Sequence, residues 1–145
     1  LGKPALAVPR AEQFPHDADI GVRGVGRTRE EAFEQAALAL MGIVTDVDRV
    51  RPECRMEIFR DARDDGFLLV DWLNALIYRM ATYRMLFSRF SVAIDGHRLH
   101  AIAWGEPVDR DRHTPAVEPK GATYTALEAG PCPDGSWVAQ CVVDV

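Results

Sequence analysis

Apolar positions along the chain recur with two periods, and each change of period marks a new element. Between residues 18 and 25, Ile20 and Val22 share one side of an alternating run loosened by Gly21, Gly24 and Gly26, which predicts a half-buried strand. Thr28-Arg29-Glu30-Glu31 has the form of a capping box, the threonine hydroxyl meeting the Glu31 amide and the Glu31 carboxylate reaching back. Ala32, Phe33, Ala36, Ala37, Leu40 and Met41 follow at helical spacing, with Gly42 as the expected exit. Cys54, Met56 and Ile58 alternate with Arg55 and Glu57 and predict a second strand, before a polar loop at 61–66. A second helix is expected from about Phe67 to Tyr83, with Leu69, Trp72, Leu73, Leu76, Ile77 and Met80 as its apolar face. Each large side chain buried there contributes about 1.5–3 kcal/mol.

From Leu86 the period returns to two. Phe90, Val92 and Ile94 precede Asp95-Gly96, and Leu99, Ala101 and Ala103 follow it, the pattern of a tight hairpin with His97 and His100 on opposite faces of its second strand. Gly105 to Pro119, with three prolines, reads as a long loop. Gly121–Leu127 and Ser136–Val143 read as two final strands joined through residues 131–135. Two helices and about six strands imply an α+β fold in a single domain, with a mixed, mostly antiparallel sheet and the helices packed on it. Residues 1–13 are expected as a flexible arm and residues 14–145 as the folded domain.

Composition narrows the function classes. With 48% apolar and 27% charged residues, the chain is neither disordered nor fibrous. Seventeen Lys and Arg against 22 Asp and Glu leave a net charge of −5, the wrong sign for gripping a nucleic-acid backbone unaided. No apolar run approaches the roughly 18–20 residues that cross a bilayer, and the first fifteen residues lack the apolar block of a secretory signal. Cys54, Cys132 and Cys141 are an odd set without a C-x-x-C pair, and read as buried or half-buried free thiols in a reducing cytoplasm. The expectation is a soluble, acidic, cytoplasmic domain with no membrane partner and no stable hold on nucleic acid.

Common catalytic patterns are missing: there is no P-loop, H-E-x-x-H or G-x-S-x-G. The four histidines show no metal-ligand spacing. Two acidic features remain, His16-Asp17-Ala18-Asp19 entering the first strand and Asp144-Val145 at the end of the last. If those strands meet, Asp19, Asp144 and the main-chain carboxylate of Val145 converge. At about 5 Å and an effective dielectric of 20, each pair repels by roughly 3 kcal/mol. A hard divalent cation, Ca²⁺, Mg²⁺ or Mn²⁺, would relieve that repulsion. Spacing alone favours the plainer reading, in which Asp17 and Asp19 serve a turn and Asp144 is a solvated end. His16 is a candidate donor to Asp19, and Lys120 a candidate neutralising cation; Tyr124 and Trp137 read as core or rim aromatics.

His16-Asp-Ala-Asp-Ile-Gly21, Glu30-Glu-Ala-Phe33, Leu69-Val-Asp-Trp-Leu-Asn74, Lys120-Gly-Ala-Thr-Tyr124 and the closing Trp137…Asp144-Val145, in that order, resemble the archease family from about Phe14 to Val145. The resemblance implies a small non-catalytic partner that activates an RtcB-type RNA ligase in tRNA splicing and RNA repair. It would promote guanylylation of the ligase, which uses GTP and Mn²⁺, and so allow repeated turnover. The resemblance also implies Asp19, Asp144 and Val145 as metal ligands, with Ca²⁺ as the expected ion and Mg²⁺ or Mn²⁺ as alternatives. Two positions depart from the family pattern: Asp17 stands where Thr is usual, and Thr125 where His often follows the Thr-Tyr pair. Asp17, placed on the strand, would add a carboxylate to the site or crowd it. The rival readings are a metal-dependent phosphohydrolase and a chaperone-like Ca²⁺-binding module.

Overall fold

The computed structural model describes residues 8–145. Strand β1 (Arg10–His16) turns through Asp17 and Ala18 into β2 (Asp19–Gly26), which leads to helix α1 (Arg29–Val44). After a single 3-10 turn come β3 (Cys54–Asp61), helix α2 (Asp65–Tyr83) and the hairpin of β4 (Met85–Asp95) and β5 (Arg98–Pro107). A short helix α3 (Arg110–His113) precedes β6 (Gly121–Ala122), β7 (Glu128–Pro131) and β8 (Trp137–Asp144).

The α+β class stands, but the strands divide into two sheets and every pairing is antiparallel. One sheet runs β1-β2-β8, with β6 and β7 sharing the second edge of β8; the other runs β3-β5-β4. The two long helices each touch both sheets and fill the space between them. This explains α1, whose buried residues Ala32, Phe33, Ala36, Ala37, Ala39, Leu40, Met41 and Val44 cover an arc of about 200° at 100° per residue, too wide for a helix with one solvent face. Its small side lies directly on β2: a Cβ at Gly24 would collide with the backbone of Ala32 and Ala36. Its large side, with α2, builds the core around Trp72, Phe33, Phe87 and Leu40, and the Trp72 indole N–H donates to Phe33 O (3.0 Å).

Both helix starts follow local chemistry. Thr28 accepts from Glu31 N while the Glu31 carboxylate takes the Arg27 N–H, and Asp64 accepts from Phe67 N. Gly42 is not the exit; α1 runs on to Val44, because β1 lies beside it and Gln13 reaches over Gly42 to donate to Ala39 O (2.9 Å).

Other expectations shift. The arm placed at 1–13 overlaps structure: Arg10–Gln13 pair with Val25–Val22 as part of β1, a mostly exposed edge strand, while residues 1–7 lie outside the described residues. The strand expected at 121–127 stops at Ala122, and Ala126 takes a left-handed φ of 54° before β7. His97 sits in the turn rather than on β5. Cys54 is exposed, Cys132 half-buried and Cys141 buried, its thiol pushed up to about 12 by desolvation.

Within the expected loop 105–119, β5 continues to Pro107 and α3 follows, held by a polar lock. Buried Glu106 accepts a bidentate pair from Arg112 (2.7 and 2.8 Å), the Arg51 N–H (2.8 Å) and His113 Nε2 (2.9 Å). His113 Nδ1 accepts the Asp109 N–H (2.8 Å), so the ring hydrogen sits on Nε2 and points at Glu106. The Arg112 guanidinium, with the other two donors, holds the Glu106 carboxyl far below its ordinary value despite burial.

Candidate functional site

β8 occupies the centre of the five-stranded sheet, so the end of the chain is flanked on both sides. On one side Ile20 pairs with Val143, and the register continued by one residue sets Asp19 across from Asp144. On the other, Asp144 pairs with Gly121. Since His16 pairs with Asp19, the last row of the sheet reads His16, Asp19, Asp144, Gly121. Directly opposed residues of antiparallel strands lie about 5 Å apart at Cα and project to the same face. Ala139, Cys141 and Val143 face the core, so Asp144 and its neighbour Asp19 face away from the helices.

Backbone contacts fix the row. The Val145 N–H donates to Asp19 Oδ1 (3.3 Å), which ties residues 126 positions apart. The Lys120 N–H donates to Asp144 O (2.8 Å), and Thr123 donates to Val142 O through both its N–H and its hydroxyl (2.9 Å each). Val142 N in turn donates to Thr125 O (3.0 Å), so the departure from His at 125 leaves a main-chain role that any residue fills.

The other expected participants divide. Asp17 is not on the strand: it takes the first place of the two-residue turn with φ 53°, a conformation aspartate tolerates better than β-branched residues do, and its side chain is 94% exposed. It lies 3.9 Å from His16 Nδ1, so the half-exposed imidazole has its recorded contact with Asp17 rather than Asp19. Lys120 contributes its main chain to the row while its side chain stands exposed. Tyr124 is exposed and meets Phe67 edge-on at 5.2 Å. Among the described residues, no three His, Cys, Asp or Glu side chains gather as a metal-binding group; the row offers two carboxylates and the main-chain oxygen of Val145. These are all hard oxygen donors, with Asp19 Oδ2 left free of the Val145 contact, and they suit Ca²⁺, Mg²⁺ or Mn²⁺ rather than a soft metal.

The sequence over residues 12–145 matches the model of the Archease protein family (MTH1598/TM1083). This chain belongs to the archease family. Its relatives include the protein archease of Thermococcus gammatolerans, 41% identical over 141 residues that cover 94% of this chain and 99% of that one. That of Pyrococcus abyssi is 36% identical over 140 residues, with the same coverage. Among solved structures, the solution structure of Methanobacterium thermoautotrophicum protein 1598 superposes with a TM-score of 0.76 at 34% identity, covering 93% of this chain and 98% of that one. A crystal structure from Thermotoga maritima, described as an archease and possible chaperone, shares the fold with a TM-score of 0.62 at 18% identity over 92% of this chain and 96% of that one. No helix among the described residues is long and apolar enough to cross a membrane.

One residue that anchors this row carried no role in the reading of the sequence. Asn74 on α2 clamps β6 with both ends of its amide: Oδ1 accepts the Ala122 N–H (2.8 Å) and Nδ2 donates to Ala122 O (3.2 Å). β6 is only two residues long, and it forms the free edge against Val143 and Asp144. Asn74 thereby sets the position of Asp144 from 70 residues away. The available signal was an amide at the rim of the α2 apolar face, where an unpaired polar group would be costly.

Proposed function

We propose that this archease-family chain activates an RtcB-type RNA ligase in the cytoplasm, as an accessory protein without chemistry of its own, by presenting the Asp19–Asp144 row to the ligase's nucleotide site. The observation that carries this reading is the register that sets Asp19 against Asp144, with Val145 bonded to Asp19, at an outward-facing end of the sheet. Asp19, Asp144 and the main-chain oxygen of Val145 would hold a divalent cation, which when bound supplies positive charge beside a triphosphate as pyrophosphate leaves. The chain's own share is positioning. Paired strands on both sides of β8 hold the carboxylates at a fixed spacing, and Asn74 and Lys120 N anchor the open edge. A net charge of −5 speeds encounter with a cationic ligase surface.

The test is multiple-turnover ligation and guanylylation of the ligase with substoichiometric enzyme. Wild-type chain should raise turnover, and Asp144→Ala should abolish the stimulation with an unchanged circular dichroism spectrum; full stimulation by that variant sinks the reading. The Thermotoga maritima relative's description as a possible chaperone favours a second reading, general client protection. That reading predicts suppressed aggregation of unrelated proteins, with no effect of Asp144→Ala. Hydrolysis of nucleotides by the isolated chain with Mn²⁺ would instead support a phosphohydrolase.

A further inference from the structure

We propose that the crevice between the C-terminal half of α2 and residues 108–119 is the docking groove for an acidic, aliphatic polypeptide segment of the ligase. Docking there sets the orientation in which the Asp19–Asp144 row is delivered. The proposal rests on the activator reading above.

A cavity of about 670 Å³ opens there over Val44, Ile77, Met80, Met85 and Leu86. A second hollow of about 580 Å³ shares Ile77, Ala81, Glu118 and Pro119 with it and reaches Asn74, Tyr78 and Lys120. The crevice thus runs from the end of α2 to the two residues that anchor the acidic row, over ten residues of helix or about 15 Å.

Its rim is basic in an acidic protein. Arg84, Arg110 and Lys120 line it, and among the described residues none of their side chains has a recorded hydrogen bond or ion pair; Glu118 is the one acid in the lining. An aliphatic floor containing two methionines takes Leu, Ile or Met side chains of varied shape. Nucleobases stack on aromatic faces, and Tyr78 is the one aromatic in the lining, so the floor favours a polypeptide over RNA. Asp or Glu beside the aliphatic anchors would meet the free cations. Two patches of opposite sign a fixed distance apart admit one docking orientation, where a uniformly acidic surface would admit many.

The experiment titrates the ligase with wild type, Arg84→Glu/Arg110→Glu, Ala81→Trp and Asp144→Ala. It reads the Kd of the complex, stimulation at saturating chain, and Mn²⁺ binding to the chain alone. Ala81 is exposed, so the tryptophan plugs the crevice without entering the core and carries the test should the double variant melt early. Both crevice variants should raise Kd by about tenfold or more while keeping saturating stimulation and Mn²⁺ binding. Asp144→Ala should do the opposite, keeping Kd and losing stimulation. A Kd unchanged in both crevice variants overturns the groove alone. Wild type that binds the ligase without stimulating it overturns the activator reading while the groove is still measured. If fluorescent single-stranded RNA binds the wild type and the double variant loses it, the crevice is a nucleic-acid site and the polypeptide assignment falls.

Discussion

Replacing Asn74 with Ala should lower the melting temperature by about 7 °C and loosen the acidic row while preserving the fold. The amide makes two bonds to Ala122, at 2.8 and 3.2 Å, in a half-buried setting. Removing it leaves one backbone donor and one acceptor of β6 without a partner, at a net cost of about 1 kcal/mol each. A chain of this length unfolds with an entropy of about 0.3 kcal/mol/K, so 2 kcal/mol corresponds to about 7 °C. That edge keeps its pairing with β8 and the contacts of Lys120, Thr123 and Thr125 with Asp144 and Val142, but loses its tie to α2. Asp144 then moves more freely against Asp19, and loss of such a support typically weakens metal affinity about 10-fold. Asn74→Asp keeps the acceptor and loses the donor, so it should fall between wild type and Asn74→Ala in stability. Differential scanning calorimetry gives the first quantity and Mn²⁺ titration of the isolated chain the second. A melting temperature within about 2 °C of wild type refutes the clamp, since a contribution that small is below a single net hydrogen bond. A lowered melting temperature with unchanged Mn²⁺ affinity makes Asn74 a purely structural residue.

Glu106→Gln should destabilise the chain at pH 7, because the neutral amide cannot serve four donors, and urea melts should show the gap to wild type closing in acid. The sign follows from the lowered carboxyl: the stabilisation is fully present above the ordinary value of 4.5 and is lost as pH falls from there toward the folded value. A gap that widens in acid contradicts the lock. Gly24→Ala should cost about 3 kcal/mol or more by lifting α1 from β2. Gly130→Ala, where nothing lies within 4 Å of the added carbon, should change stability by no more than about 0.5 kcal/mol in the same denaturation assay.

What was legible in the chain was local chemistry. The capping box at Thr28, the Asp95-Gly96 hairpin and the apolar face of α2 are each written within a few residues, and their elements appear where expected, although α2 starts at Asp65 inside the expected loop 61–66. β1 was hidden because an edge strand with mostly exposed residues carries little apolar alternation, and Pro15 lies within it. The break at Ala122 was hidden for a different reason. Thr123 and Thr125 bond to Val142 out of regular strand geometry, a choice made by a partner about twenty positions away. Likewise Glu106 reads as a charge at a strand end until Arg51 and, from α3, Arg112 and His113 close around it from two separate segments. Asn74 needed a partner 48 positions on.

The acidic row lies between these cases, and its security comes from the hydrophobic pattern of the tail rather than from the acids. Residues 139, 141 and 143 point into the core, and Asp144 therefore points out. Slipping β8 by one residue would turn Val143 to water and Asp144 toward the helices. Exposing the valine forfeits about 1.5 kcal/mol or more, and burying an unpaired carboxylate costs several kcal/mol. The competing register is thus strongly disfavoured before any cation binds. Apolar side chains at positions 139, 141 and 143 thus fix the strand pairing that places Asp144 across from Asp19.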